Sequence, residues 1–441
     1  MLSDSLPLSI CLPQPPAFER LSEHLPAEWI ESALSYTGRA SIRRRRLPAD
    51  QVVWLVISLA LYRHHSVRQV LADLDISLPD LDVPLVTDSA VTQARNRLGA
   101  APLKWLFETS AAGWAQQHQN HGTFRGLRLL AMDGTTLRLA DSSANRDHFG
   151  AQGYANGALS SYPQLRAVTL CAVETQLVVA ARFGPYATAE MTFAKEMLQE
   201  IPERSLTIVD AGYYGAAVLV GLQSMGGDRH FLIPAKANAS WRLLEGDADD
   251  GLVEMNVSHQ ARASNPELPA TWRARVFRYV LPDGRTKVFL TSMLDRKAIP
   301  ARELGACYAL RWRIETSYRE LKQTMLGMEL TLRSQTVEGT EQEVWGALIA
   351  YNLIRQEMAM AARAAGCAPT EISFVLAFQT IQNELLWATP NMAQGRLPEM
   401  LKRLRDRLVL LIKVSRPGRT SARVVKAKAQ RYPERRLRKP S

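Results

Sequence analysis

The first hundred residues show a helical spacing of hydrophobic positions. The recurring apolar residues, mostly three to five positions apart, are Leu21, Leu25, Trp29, Ile30 and Leu34. Residues 52–61 form the most apolar stretch, which is too short to cross a bilayer and is typical of a buried helix. Two short helical segments follow at 66–74 and 90–98, with good N-caps at Ser66 and Thr87. This pattern predicts a helical N-terminal domain after an irregular, proline-rich arm over residues 1–20.

The second short helix carries polar side chains that reach phosphates and base edges, namely Gln93, Arg95 and Arg97. Two short helices, of which the second is polar and basic, are typical of a helix-turn-helix that binds DNA. A helical bundle with a solvated polar face explains the same pattern equally well. Under the first interpretation, these three side chains contact DNA.

From residue 127 the pattern changes to short apolar runs that are typical of strands. The run 127–132 leads into Asp133 and Gly134, which we interpret as a turn from which residues 135–139 pair back. The elements that follow are a strand pair over 166–181, a helix over 188–200, a strand over 206–209, a helix over 216–224 and a strand over 230–234. This order predicts an α/β fold in which helices cover a mixed sheet.

Residues 236–300 interrupt this order, and within them 272–280 and 286–293 are predicted to form a hairpin. The chain is again helical from residue 300 through Lys322, then over 341–365 and 371–387. The predicted domains are the helical N-terminal domain (1–105), the first part of the α/β core (106–235), a β-rich insertion (236–300), the completion of the core (301–365), a helical C-terminal region (366–413) and a basic tail (414–441).

The charge of the 441-residue chain is concentrated at one end. The formal net charge is +11, of which the last 28 residues carry +9 and residues 1–413 carry +2. A basic balance indicates a polyanionic partner such as nucleic acid and argues against a secreted digestive enzyme. The four cysteines are too far apart for a zinc finger, and no signal peptide or membrane span is predicted. We therefore expect a cytoplasmic protein with no membrane partner.

Asp133 and Asp210 occur in similar surroundings, since each ends an apolar run and is followed within two residues by glycine. If the two strands are parallel neighbours, both carboxylates lie at the same edge of the sheet. Two carboxylates in close proximity repel each other unless a cation lies between them, which favours a divalent metal ion. The alternative is that each aspartate caps a turn.

Around Glu315, polar residues share one face of a predicted helix. At about 100° per residue, Tyr308, Arg311, Glu315 and Lys322 fall within an arc of about 60°, and Arg319 is adjacent. A carboxylate beside arginines and a lysine suits a metal-bound phosphodiester, with Arg311 and Lys322 on neighbouring phosphates. The alternative is a solvated helix face with ion pairs.

The spacing Tyr-(two)-Arg-(three)-Glu-(six)-Lys resembles the signature of bacterial insertion-sequence transposases of the Asp-Asp-Glu class. Four fixed residue types at fixed offsets arise by chance in about one chain of this length in several hundred. Residues 132–136 (Met-Asp-Gly-Thr-Thr) resemble the family's first aspartate segment, and residues 209–214 (Val-Asp-Ala-Gly-Tyr-Tyr) resemble the second. The resemblance covers roughly residues 15–390.

The resemblance implies a ribonuclease-H-like core in which Asp133, Asp210 and Glu315 bind two Mg²⁺ ions, with Mn²⁺ as a substitute. It further implies cleavage at the inverted repeats of a mobile element and joining of the 3′ ends to target DNA, by a homodimer on paired double-stranded DNA in the bacterial nucleoid. Tyr308, Arg311 and Lys322 correspond to residues that grip terminal phosphates. Lys236, just past a strand, is a further candidate for phosphate binding.

Some relatives cleave through a DNA hairpin and hold a flipped base on a tryptophan in the insertion, where this chain has Lys287. Trp241 and Trp272 are candidates to replace it, although a core position is favoured for both. Two other functions remain open: a relative that binds DNA without cleaving it, and a two-carboxylate glycoside hydrolase, which the arginine-rich helix disfavours. The sequence does not specify the end sequence or the target preference.

Overall fold

The computed structural model describes residues 24–40, 47–73, 87–120, 122–155, 157–281, 284–327, 331–386 and 397–412. Several predicted features lie outside these residues: the proline-rich arm, the turn at Pro282–Asp283, Trp387 and the basic tail. Among the described residues, none of the helices is both long and apolar enough to span a membrane.

The structure is a mixture of helices and strands, as the α/β prediction requires. The helices are α1 (Ala27–Tyr36), α2 (Ala49–Leu61), α3 (Val67–Asp73), α4 (Asp88–Leu98), α5 (Ala101–Gln117), α6 (Ser143–Phe149), α7 (Glu190–Glu196), α8 (Ala216–Ser224), α9 (His259–Ser264), α10 (Ala301–Ala309), α11 (Trp312–Arg319), α12 (Val337–Ala365), α13 (Phe374–Leu386) and α14 (Leu397–Val409). The strands are β1 (Thr123–Phe124), β2 (Leu127–Arg138), β3 (Gln164–Ala172), β4 (Val178–Pro185), β5 (Ser205–Ile208), β6 (Arg229–Pro234), β7 (Arg242–Gly246), β8 (Asp250–Asn256), β9 (Thr271–Val280) and β10 (Thr286–Thr291).

The described residues group into two compact units. The helical unit comprises those within Met1–Trp114, Leu137–Gln164 and Arg319–Ser441, and the sheet unit comprises Ala115–Thr136 and Leu165–Tyr318. All three predicted triad residues belong to the sheet unit.

The sheet has the strand order β4-β3-β2-β5-β6, and β5 and β6 run parallel to β2. Strands β3 and β4 form an antiparallel pair, as the repeated apolar runs predicted. Helices α7 and α8 follow β4 and β5, and their apolar residues join the core beside the sheet. This arrangement confirms the expected α/β, ribonuclease-H-like fold class.

The predicted hairpin in the insertion is confirmed, because β9 and β10 pair antiparallel. The insertion continues the same sheet, since β10 pairs with β6, followed by β9, β8 and β7. Trp272 is buried in the common core, with its ring centre 5.9 Å from that of Phe231, and Trp241 packs against the same core. The core position favoured for Trp272 is thus confirmed, whereas Trp241 is only partly buried.

The predicted turn at Asp133–Gly134 is wrong. Strand β2 runs without interruption from Leu127 to Arg138, so residues 135–138 extend the strand and do not pair back onto it. Gly134 does not have a positive φ, and therefore its backbone does not use the conformational freedom of glycine. The backbone of Gly134 instead packs closely against the carboxylate of Glu190.

In the helical unit, the apolar stretch over residues 52–61 is buried, as predicted, within α2. Helix α2 packs closely on α12, because a Cβ at Gly346 would lie 2.7 Å from Cγ1 of Val56. Helix α4 begins at the predicted cap, where the hydroxyl of Thr87 accepts a hydrogen bond from the Ala90 amide at 3.3 Å. Residues 74–86, which connect α3 to α4, lie outside the described residues, so the helix-turn-helix stays a prediction.

Candidate active site

The two aspartates are at the same level of the sheet. Strands β2 and β5 are parallel, and their last paired residues are Ala131 and Ile208. Asp133 and Asp210 each lie two residues beyond this pair, Asp133 within β2 and Asp210 directly after β5. The carboxylate of Asp210 also caps a 3₁₀ turn, where its Oδ1 accepts a hydrogen bond from the Gly212 amide at 2.7 Å. The register thus brings the two predicted acidic residues together.

Arg311 connects the third acidic residue to the first. Its Nη2 donates to Oε1 of Glu315 at 2.6 Å, and its Nη1 lies 3.6 Å from Oδ2 of Asp133. The hydroxyl of Tyr318 donates to the backbone carbonyl of Asp133 and lies 2.8 Å from the hydroxyl of Thr169. Arg311, just before α11, thus contacts the side chain of Asp133, and Tyr318, near the end of α11, contacts its backbone.

The environment of Asp133 disfavours its negative charge. The side chain is only 17% exposed, and burial raises the pKa of Asp133 to about 6. The Gly134 amide and Arg311 oppose this rise in pKa, whereas Asp210 and Glu315 add to it. Burial, together with the charges of Asp210 and Glu315, therefore outweighs the Gly134 amide and the Arg311 guanidinium.

Tyr308 lies beside this guanidinium on α10. The Arg311 guanidinium carbon is 6.0 Å from the centre of its ring, and Phe289 packs on the ring at 4.7 Å between centres. Burial raises the pKa of Tyr308, so that its phenol stays protonated and remains a hydrogen-bond donor. Tyr308, Arg311 and Glu315 are thus brought together as predicted.

The single regular helix expected through Lys322 is not formed. Helix α10 ends at Ala309, and a tight turn with a hydrogen bond from the Arg311 amide to the Tyr308 carbonyl precedes α11. After Arg319, the chain continues as a π-helix over Glu320–Met325, whose wider turn departs from 100° per residue. Arg319 is exposed and Lys322 is half-buried, and both belong to the helical unit. The predicted spacing of 100° per residue is therefore interrupted between α10 and α11 and ends at Arg319, before Lys322.

Lys236 lies close to the segment that follows Asp210. Its side chain is exposed, and its Nζ is 3.5 Å from the backbone oxygen of Tyr214 and 5.5 Å from the centre of that ring. The sequence placed Lys236 only by its position after a strand. The structure adds its contact with Tyr214, which is four residues beyond Asp210.

The three polar residues of α4 differ in their surroundings. Gln93 and Arg97 have exposed side chains. Arg95, in contrast, donates to Oε1 of Gln342 at 3.2 Å and to the hydroxyl of Ser334 at 3.0 Å. Its guanidinium therefore holds α4 to the segment around α12 through Nε and Nη2.

The sequence interpretation did not include Trp312, which directly follows Arg311. Its side chain is 66% exposed, and the Arg311 guanidinium carbon lies 5.9 Å from its ring centre. A large exposed aromatic ring at the start of an otherwise charged helix is the signal that could have identified it. Lys287 is paired with Tyr279 within the β9–β10 hairpin.

The acidic set fits a divalent cation chemically, since carboxylate oxygens are the ligands that Mg²⁺ and Mn²⁺ prefer. In the part of the chain that the structure describes, however, no three acidic, histidine or cysteine side chains are close enough together to hold a metal ion. Arg311 contacts both Asp133 and Glu315 and supplies the positive charge there. A cation at this site would replace that guanidinium on the two carboxylates.

Comparisons with known protein families match most of the chain. Residues 15–108 match the N-terminal domain of insertion element 4 transposases, and residues 125–353 match the transposase DDE domain. The chain is 35% identical to the transposase InsG for insertion sequence element IS4 of Escherichia coli K12, over 94% of this chain and 93% of InsG. It is also 33% identical to InsZ of the same strain, over 56% of this chain and 81% of InsZ.

Among solved structures, the chain resembles the piggyBac transposase in a synaptic complex with hairpin DNA. The TM-score is 0.43 and the sequence identity is 11%, over 93% of this chain and 88% of that one.

Proposed function

The chain belongs to the IS4 family of transposases with a DDE domain, and from this premise we propose how its residues cleave and join DNA. As a member of this family it is a DNA-binding enzyme of DNA transposition. We propose that it binds the terminal inverted repeats of an insertion element, cleaves at the repeat ends, and joins the 3′ ends to target DNA. It does so in the bacterial cytoplasm, on nucleoid DNA.

The observation that carries the proposal is the common register of Asp133 and Asp210, together with the guanidinium that links Asp133 to Glu315. In the proposed site, the three carboxylates come from β2, from the turn after β5 and from α11. In the proposed mechanism they hold two Mg²⁺ ions, or Mn²⁺ in their place. When bound, these ions supply an activated nucleophile and charge stabilisation for the leaving oxygen of a phosphodiester.

Arg311 has two proposed roles in succession. In the metal-free protein it compensates the charges of Asp133 and Glu315. Once cations occupy the carboxylates, its planar guanidinium is free to bind a DNA phosphate in a bidentate manner. The neutral phenol of Tyr308 donates to the same phosphate region, and Trp312 stacks on an unpaired base.

The remaining cationic residues are proposed to contact more distant DNA. We assign Lys236 to a phosphate near the Asp210 segment, and Arg319 and Lys322 to phosphates further along the strand. In the N-terminal domain, Gln93 and Arg97 are proposed to contact the repeat sequence. We do not include Arg95, because its guanidinium already binds Gln342 and Ser334.

The proposal is tested with end-sequence DNA taken from the repeats that flank the gene. With Mg²⁺ present, we expect a nick at the repeat boundary, and none with EDTA, because the carboxylates alone do not activate water. Gel analysis of strand-labelled duplexes measures the position of the nick. Binding of these ends without any nick, in either Mg²⁺ or Mn²⁺, would instead support a relative that binds DNA without cleaving it.

Trp312→Ala is expected to weaken binding to ends that carry unpaired terminal nucleotides by about tenfold, because one base–aromatic stack contributes about 1–3 kcal/mol. Trp312→Phe is expected to retain most of this affinity. Titration of fluorescent DNA measures both variants, and fully paired end DNA is the control, on which the loss should be smaller. Equal losses on paired and unpaired ends would contradict the stacking role.

Two protomers are proposed to pair two element ends, because each end needs its own set of carboxylates. The expected complex with end DNA contains two chains and two duplexes. Light scattering of the purified complex measures this stoichiometry. A complex of one chain with one duplex that still cleaves and joins its end would contradict the proposal.

A further inference from the structure

Glu190 is an acidic side chain beside the site that does not belong to the proposed triad. It is the first residue of α7 and is half-buried. A Cβ at Gly134 would lie 2.2 Å from Cδ of Glu190 and within 2.6 Å of both carboxylate oxygens. The carboxylate of Glu190 therefore packs on the backbone of β2, directly after Asp133. A side chain at position 134 would displace that carboxylate from its place on the strand.

The same carboxylate also contacts the segment that follows Asp210. The Tyr213 hydroxyl donates to Oε2 of Glu190 at 3.5 Å, and Tyr213 is 1% exposed at the end of the turn that Asp210 caps. Burial, followed by the charges of Glu190, Asp133 and Asp210, raises the pKa of Tyr213, so that its hydroxyl keeps its proton and remains a donor. One carboxylate thus contacts both of the segments that carry the aspartates.

Helix α7 provides a fixed base for this side chain. Phe193 and Ala194 are buried in the core of the sheet unit. Met191 packs on the loop after the Asp210 turn, since a Cβ at Gly215 would lie 3.2 Å from Cε of Met191. The start of α7 is therefore held against the rest of the unit.

The aspartates need such a connection because the pairing of their strands ends before them. The last paired residues of β2 and β5 are Ala131 and Ile208, two positions short of Asp133 and Asp210. Beyond this point, no β2–β5 backbone pairing fixes the separation of the two carboxylates.

We propose that Glu190 is a positioning residue that sets the separation of Asp133 and Asp210 for a shared divalent cation. It acts through the backbone at Gly134 and through the Tyr213 hydroxyl, and it contacts neither the cation nor DNA. This inference rests on the proposed function, because it requires that the two aspartates bind a cation.

The test measures Mn²⁺ binding to the full chain without DNA, by calorimetry, together with thermal unfolding. Glu190→Ala is expected to lower the Mn²⁺ affinity by about tenfold, the usual effect of losing a partner that orients a ligand. Glu190→Gln is expected to stay within about threefold of the unaltered protein, because its amide oxygen still accepts from Tyr213. Tyr213→Phe should weaken binding as Glu190→Ala does, and the double variant should add no further loss, since both remove one connection.

A second approach leaves the carboxylate in the protein. Gly134→Ala displaces the Glu190 side chain by steric overlap, and it is expected to weaken Mn²⁺ binding to the same extent as Glu190→Ala. Glu196→Ala, at an exposed position on the same helix, is the matched control and should leave the affinity unchanged.

The variant Asp210→Asn distinguishes a failure of the proposed metal site from a failure of the proposed role of Glu190. If it leaves Mn²⁺ binding unchanged, the proposed metal site is wrong and this inference falls with it. If Asp210→Asn weakens binding but Glu190→Ala and Gly134→Ala do not, only the role of Glu190 is overturned. A purely structural role would lower the unfolding temperature of Glu190→Ala without changing its Mn²⁺ affinity, and that result would also overturn the inference.

Discussion

Glu315→Gln is expected to bind end DNA within about twofold of the unaltered protein while its cleavage rate falls by about three orders of magnitude or more. The amide oxygen of glutamine can still accept the hydrogen bond from Arg311, so the start of α11 should keep its place. The variant lacks the negative charge with which position 315 is proposed to hold a cation. Gel-shift titration measures the binding, and single-turnover cleavage in Mg²⁺ measures the rate.

The matched control for this prediction is Glu196→Gln, which makes the same chemical change at an exposed position of the sheet unit. It should leave both binding and cleavage unchanged. Cleavage by Glu315→Gln at a rate close to that of the control would remove Glu315 from the triad. A parallel loss of DNA binding would instead indicate that position 315 contributes to DNA contact.

Asp133→Asn is expected to stabilise the metal-free protein at pH 8 while abolishing cleavage. The pKa of Asp133 is raised by burial from 3.8 to about 6, so the folded protein favours the neutral side chain. A shift of this size corresponds to at most about 3 kcal/mol, and a gain of about 1–3 kcal/mol is expected for the variant. The asparagine side chain of this variant can still accept from the Gly134 amide, as the carboxylate of Asp133 does at 2.8 Å.

The stability gain of Asp133→Asn should depend on pH, because Asp133 releases its proton at a higher pH in the folded state than in the unfolded state. Below about pH 4, Asp133 is protonated in both the folded and the unfolded states, and its charge contributes nothing. Between about pH 4 and pH 6, the folded state keeps a proton that the unfolded state releases, so the stability of the unaltered protein falls as the pH rises. The stability advantage of Asp133→Asn over the unaltered protein should therefore increase between about pH 4 and pH 6 and stay constant above pH 6.

Urea unfolding in EDTA at a series of pH values measures this difference, with the exposed Asp147→Asn as the matched control. Added Mn²⁺ should stabilise the unaltered protein but not Asp133→Asn, since ligand binding to the folded state alone raises stability. A difference that is independent of pH, or a variant that is less stable at pH 8, would contradict the assignment of Asp133 as a destabilising buried charge.

The conflict between stability and function at this site has a structural cause. The fold buries Asp133, which raises its pKa, and the nearby charges of Asp210 and Glu315 raise it further. Arg311 is the compensating cation in contact with both Asp133 and Glu315. Such an arrangement costs stability in the absence of metal, and is typical of sites selected for binding charged ligands. We expect this cost to be relieved when divalent cations bind.

Several features were predictable because they depend on local pattern. The apolar run within α2, the cap of α4 at Thr87 and the β9–β10 hairpin follow from residue types that act over a few neighbours. Strand β5 and the aspartate that follows it were also predictable, because a short apolar run followed by a polar turn has few alternatives.

Other features could not be predicted because distant residues decide them. The dipeptide Asp133–Gly134 favours a turn locally, but β2 continues through it to Arg138, whose carbonyl accepts a hydrogen bond from the Leu332 amide, far along the chain. Arg95 is of a residue type that commonly contacts DNA, yet residues more than two hundred positions away accept its hydrogen bonds. Neither partner is visible in the local sequence.

Hydrophobic periodicity and fixed offsets along the chain were enough to predict the class of fold, the two strand-associated aspartates and the Tyr-Arg-Glu spacing. The common register of Asp133 and Asp210, the bridge from Arg311 to Asp133 and Glu315, and the contact of Glu190 with both aspartate segments arise from packing between distant elements. A carboxylate's charge and position depend on burial and on neighbours that other elements supply. Chain spacing identifies the residues, whereas packing sets their pKa and their separation.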